Sequence, residues 1–271
     1  MPVSLHIAIW HIRLLLCKVV EILTTVVDIS TTMDGGGTDA TRLCARLARF
    51  DIVKTEQPMK KITARQFAAF TEACHRAAKD HDLMRCSSGN ISWRVDAERM
   101  LVSATRSWLA DIRKEQVAVV RLRDGAVLNN CKPSAETPFH AGVLRARPDM
   151  NVVLHFQSPC ATTLACCAGA EKANFFLTPE IPYYIGAVSF VPFLQPGSEA
   201  LADAVTAALK THDMAVLRNH GAVTVGKTFN DAIQKAVFFE LACEIVLRAG
   251  DRIELMPKQD VELLLRKPGQ V

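Results

Sequence analysis

The chain has 271 residues, 49% of them hydrophobic and 22% charged, which excludes a globally disordered polymer and suits one domain with extensions. Its net charge of +4, from 32 basic and 28 acidic residues, is spread without a long basic block, so neither nucleic acid nor an acidic membrane is expected as partner. The nine cysteines form no CxxC pair and no framework spacing, so free thiols in a reducing cytoplasm are expected, with Cys160, Cys166 and Cys167 buried in an apolar stretch.

Residues 5–27 are apolar, yet His6, His11, Arg13, Lys18 and Glu21 interrupt them, and no uninterrupted membrane-spanning segment results. Gly35-Gly36-Gly37 and a basic stretch follow, up to Pro58. Residues 1–58 are therefore read as an extension dispensable for the fold, with Met59 as a candidate native start. The main domain is expected over 59–256 and a C-terminal tail, short helix or frayed, over 257–271.

Order begins at Thr63, which forms a capping box with Gln66; Phe67, Phe70, Cys74 and Ala77 supply one helical face, and the helix is expected to end near His81. Turn chemistry at Cys86-Ser87-Ser88-Gly89-Asn90 precedes four predicted strands, over 91–95, 100–103, 117–122 and 126–129, with Asp124-Gly125 as a hairpin turn. A helix is predicted over 136–147, stopped by Pro148, and a buried strand over 152–156. Ser158 is then read as the cap, and Pro159 as the first residue, of the next helix. A helix over 198–210, a strand over 214–217 and a long helix from Thr228 to Gly250 complete the pattern. Helices mixed with short strands, without strict βαβ alternation, predict an α/β layered fold with a mixed sheet.

Four segments place polar groups where the apolar pattern breaks. Ser87-Ser88-Gly89-Asn90-Ile91-Ser92 can aim backbone amides at an anion, or be an ordinary loop. In Lys132-Pro133-Ser134-Ala135-Glu136-Thr137-Pro138-Phe139-His140, Glu136 is either a general base or an acid that favours the helix start. His155 and Gln157, two apart, point the same way; histidine nitrogen suits zinc and a neutral amide oxygen does so poorly, while a core histidine with a bonded glutamine is the plain alternative. His220, in Arg218-Asn219-His220-Gly221 after a buried strand, is a fourth candidate. His140 and His212 are read as structural.

In this order and spacing, the Ser-Gly-Asn turn, the Lys-Pro-Ser-x-Glu segment, the strand histidine before Ser-Pro and the late Asn-His-Gly resemble the class II aldolase/adducin family over about residues 62–250. The resemblance implies a single α/β/α domain with a mixed, largely antiparallel sheet. It implies a divalent metal, zinc, at His155, Gln157 and His220, with Glu136 as the catalytic base. It also implies a substrate-anion site at Ser87, Ser88, Gly89, Asn90, Thr105, Arg106 and Ser134, and a homo-oligomer, often a tetramer. The activity implied is cleavage of a carbon–carbon bond in a sugar phosphate or similar hydroxy-carbonyl compound through an enediolate. A decarboxylase, an epimerase and a non-catalytic adducin-like interaction protein remain as alternatives.

Four positions depart from the family pattern. Gln157 stands in place of a second histidine, Arg106 in place of a phosphate-contacting glycine, and Ala135 in place of a second serine. Phe193 replaces a tyrosine that donates protons in some aldolases. Arg106 either blocks a phosphate or offers a two-pronged site for a carboxylate or phosphate.

Overall fold

The computed structural model describes residues 61–266. The predicted extension over 1–58, the candidate start at Met59 and the last five residues lie outside that range. Thr63 caps the first helix, α1 (Ala64–His75), in the predicted capping box with Gln66, and a turn of wider helix continues it over Arg76–Asp80. Phe70, Cys74 and Ala77 are fully buried, as their helical spacing requires.

Seven strands form one sheet: β1 (Asn90–Arg94), β2 (Arg99–Ser103), β3 (Val117–Arg121), β4 (Val152–Phe156), β5 (Val188–Val191), β6 (Met214–Leu217) and β7 (Gly221–Gly226). Their order across the sheet is β3-β2-β1-β4-β7-β6-β5. Every pairing is antiparallel except β5 with β6, which gives the expected mixed, largely antiparallel sheet. The predicted strand over 126–129 does not form. Only Val127 bridges back to Val120, while the Asn129 side chain bonds both backbone groups of the facing strand, at Val117 and Val119, and replaces a ladder there.

Alternation along the strands splits the core in two. Val152, Leu154 and Phe156 face one side, where α1, α3 (Pro159–Cys166) and α5 (Phe229–Ala249) pack. Val153, Val223 and Val225 face the other, against α2 (Thr137–Ala146) and α4 (Glu199–Leu209). Phe156 and Phe239 meet edge to face at 6.5 Å between ring centres, and burying such a ring stabilises by about 1.5–3 kcal/mol. His155 lies between Leu154 and Phe156, so the pleat turns it to the α2 side.

Ser158 does not cap α3 with its own side chain. Its hydroxyl donates to Glu240 of α5, whose carboxylate also accepts from the amides of Cys160 and Ala161. A carboxylate on a neighbouring helix thus fills the positive N-terminus of α3 directly after β4. Cys166 and Cys167 are exposed rather than buried, because α3 ends there. A last helix, α6 (Lys258–Leu265), follows Pro257, and no described helix is long and apolar enough to cross a membrane.

Candidate metal centre

Glu136 sits at the N-cap position of α2, but its side chain makes no capping bond. The Ser134 hydroxyl accepts from the Glu136 amide instead, which frees the carboxylate to turn into the sheet. There it meets His155 Nε2 at 3.5 Å through Oε2 and His220 Nε2 at 3.5 Å through Oε1. One donor atom from each of the three residues falls within 4.8 Å of the others.

His220 arrives on the tight turn between β6 and β7. Asn219 holds φ +54°, a left-handed conformation that asparagine tolerates better than most residues. The turn is tied to α3: the Asn219 amide donates to Ala165 O, and the Arg218 guanidinium to Cys167 O. Gly221 must be glycine, because a Cβ there would lie 2.6 Å from Phe156 O. Gln157 donates its side-chain amide to His220 O at 2.7 Å, bracing the loop from the end of β4.

Asn90 Nδ2 donates to Glu136 Oε2 at 2.7 Å. Burial alone would push the Glu136 carboxyl up. His155, the Asn90 amide, His220 and His140 together outweigh it and hold Glu136 below the usual carboxylate range. Burial pushes His220 down to about 4, helped by His155 and opposed by Glu136, so its imidazole is neutral at neutral pH. His155 Nδ1 lies 3.0 Å from Ala222 O. A carbonyl only accepts, so Nδ1 holds the hydrogen and, in the neutral ring, Nε2 presents a lone pair to Glu136.

This arrangement fits a divalent cation. Acceptor lone pairs converge on one point, a histidine whose other nitrogen is tied to a carbonyl is the usual form of a metal-bound imidazole, and buried Glu136 Oε1 has no hydrogen-bond partner. Two imidazole nitrogens and a carboxylate oxygen form a donor set that zinc accepts.

The predicted anion-site residues are placed unevenly. Gly89 lies against the His155 backbone, at φ +70°, where a Cβ would come within 2.7 Å of His155 O. Ser88 spends its hydroxyl on the Arg85 amide, and Ser87 is exposed. Thr105 and Ser134 belong to two joined loops: the Thr105 amide donates to Lys132 O and the Ser134 amide to Ser103 O. Arg106 is exposed and adopts φ +58°, the conformation for which glycine is suited. Exposed Phe193 follows β5.

Sequence reasoning set aside His140, which is fully buried beside Asn90 and Ser92. Its spacing of four residues from Glu136, one helical turn, was the available signal.

The family described as the Class II Aldolase and Adducin N-terminal domain matches residues 68–247. The chain is 26% identical over 204 residues to a 3-oxo-tetronate 4-phosphate decarboxylase of Escherichia coli, covering 74% of this chain and 92% of that protein. It is 29% identical over 178 residues to an L-fuculose phosphate aldolase of Methanocaldococcus jannaschii, covering 66% and 93%. The crystal structure of YgbL from Escherichia coli superposes with a TM-score of 0.70 at 25% identity, over 74% of this chain and 98% of that one. Sequence match and fold agree, and the chain belongs to the class II aldolase and adducin family.

Proposed function

We propose that this chain is a divalent-metal-dependent carbon–carbon lyase acting on a small phosphorylated compound that has a carbonyl beside a hydroxyl. The observation that supports it most is the convergence of Glu136, His155 and His220, with a buried carboxylate oxygen that has no hydrogen-bond partner. A cation held there, zinc by donor type, supplies Lewis acidity where negative charge develops on adjacent substrate oxygens.

The chain's own groups do the rest. Ala222 O holds the His155 hydrogen on Nδ1 and leaves Nε2 facing the cluster, and burial keeps His220 neutral. Glu136 is held as a carboxylate, able to take a proton from a substrate hydroxyl and return it to carbon after the bond has broken. Gln157 is assigned a bracing role on the His220 loop in addition to its place beside the cluster. Ser87, Ser88, Gly89, Asn90, Thr105 and Ser134 are assigned to the substrate anion, with Arg106 adding a two-pronged contact to a phosphate or carboxylate.

Two bond cleavages end in the same enediolate. In one, a 3-oxo acid loses carbon dioxide and the bonding pair stays on the substrate; the similarity to the 3-oxo-tetronate 4-phosphate decarboxylase favours this substrate first. In the other, an aldol bond opens to an aldehyde; the similarity to the L-fuculose phosphate aldolase supports it. The reading includes a catalytic domain over 59–256, a homotetramer by family resemblance, and a reducing cytoplasm, in keeping with free cysteines among the described residues.

The test is to incubate the metal-loaded chain with 3-oxo-tetronate 4-phosphate and with fuculose 1-phosphate, measuring carbon dioxide and aldehyde separately. Product from either, abolished by chelator and by Glu136→Gln, supports the lyase reading. No product from a metal-loaded, folded chain with either compound would overturn the substrate class.

A further inference from the structure

We propose that His140 is a positioning residue: it locks the Asn90 side-chain amide in the one orientation that donates to Glu136. Three observations support this. His140 Nε2 contacts Asn90 Oδ1 and His140 Nδ1 lies 2.8 Å from Ser92 Oγ, while Asn90 Nδ2 reaches Glu136 Oε2 at 2.7 Å. All four side chains are buried, so water cannot substitute for a missing partner. Asn90 and Ser92 are two apart on β1 and share a face, which brings both to the same ring of α2.

Each middle member of this chain is ambiguous by itself. An asparagine amide can be flipped, a neutral imidazole has two tautomers, and a hydroxyl donates or accepts. The Glu136 carboxylate resolves them, because it can only accept. Asn90 must present Nδ2 to it and so turns Oδ1 to His140. His140 must then hold its hydrogen on Nε2, and Nδ1 accepts from the Ser92 hydroxyl. Burial pushes His140 down to about 3, so the ring stays neutral and the sequence of donors is not disturbed near neutral pH. Phe139 stacks on the ring at 4.5 Å between centres and limits its tilt.

The consequence for Glu136 is directional. With Oε2 engaged by Asn90, Oε1 alone is left without a partner, facing His220. A flipped amide would point Oδ1 at the carboxylate, setting two acceptors against each other and displacing Glu136 from the histidines. The inference rests on the metal-centre reading only for what Glu136 is aimed at; the hydrogen-bond order stands apart from it.

The test has two parts. Nitrogen-15 NMR of the histidine rings in the full chain reads the His140 tautomer directly; hydrogen on Nε2 is expected across pH 5–8, and hydrogen on Nδ1 would overturn the proposal whether or not metal binds. Zinc titration of two variants then separates aiming from packing. His140→Gln keeps an amide donor for Asn90 Oδ1, whereas His140→Leu keeps only bulk. The expected result is roughly tenfold weaker zinc binding in His140→Leu, on the scale of second-layer ligand partners, with Gln within about threefold of wild type. Equal losses in both variants, following their melting temperatures, would mean that His140 only packs. A wild-type chain that binds no zinc would count against the metal centre alone, leaving the tautomer to decide the role of His140.

Discussion

Asn90 and His155 stand directly opposite each other across the β1–β4 pairing, and both approach the same oxygen of Glu136, at 2.7 and 3.5 Å. The sheet register therefore sets the spacing of the site, and the helix start delivers the carboxylate into it. Removing the Asn90 donor takes away one of the groups that hold the Glu136 carboxyl low and should raise its pKa. Asn90→Leu is expected to move the acid limb of the activity profile upward and to lower kcat by roughly 10- to 100-fold. A pH–rate profile checks this; an unchanged acid limb would remove Asn90 from the account.

Gln157 offers a sharper test because it stands where the resemblance implied a histidine. Its amide braces His220 O across the end of β4, so Gln157→Leu should loosen the His220 turn. Roughly tenfold weaker metal affinity is expected, with little change in melting temperature of the metal-free chain. Calorimetric titration with zinc reads the affinity, and a thermal melt of the metal-free chain reads the melting temperature.

Acid sensitivity follows from two buried imidazoles. His140 and His220 have folded pKa values pushed to about 3 and about 4, against 6.5 for the free side chain. Between those limits the unfolded chain binds more protons, so stability rises with pH. The contribution is fully present above pH 6.5 and is lost as pH falls through the window down to about 3. For His140 alone the full loss is on the order of 3–5 kcal/mol. Urea midpoints measured from pH 7.5 to pH 4 should fall steadily, and a flat profile would contradict the neutral burial of both rings.

Arg106 separates strain from function. Its left-handed backbone costs roughly 1 kcal/mol that glycine would not incur. Arg106→Gly is expected to stabilise the fold by about that amount and to raise KM for a phosphorylated or carboxylated substrate. Denaturant melts and steady-state kinetics on one variant check both halves.

Much of this fold was legible because local chemistry and tertiary need agreed. Thr63 and Gln66 cap α1 as their spacing demands, and Gly250, at φ +54°, stops α5. The order of the four polar segments identified the family before any geometry was known. Other features escaped for physical reasons. Val188–Val191 and Gly221–Gly226 are short strands beside loops, and their pairing is decided by β6 and β4 rather than by their own pattern. Ser158-Pro159 looked like a self-capped helix start, but the cap comes from Glu240, 82 residues away. That one carboxylate would be left with an unpartnered buried oxygen, and that a helical turn would bring His140 under Asn90, depended on β1 lying beside β4.

The measurement that tests the central claim most directly is metal content of the purified chain beside His220→Ala, with circular dichroism to confirm that both are folded. The account predicts close to one divalent ion per chain in the first and loss of most of it in the second. A folded chain that stays metal-free after incubation with zinc, cobalt or manganese would contradict it. The Glu136–His155–His220 cluster would then be a buried polar cluster rather than a metal centre.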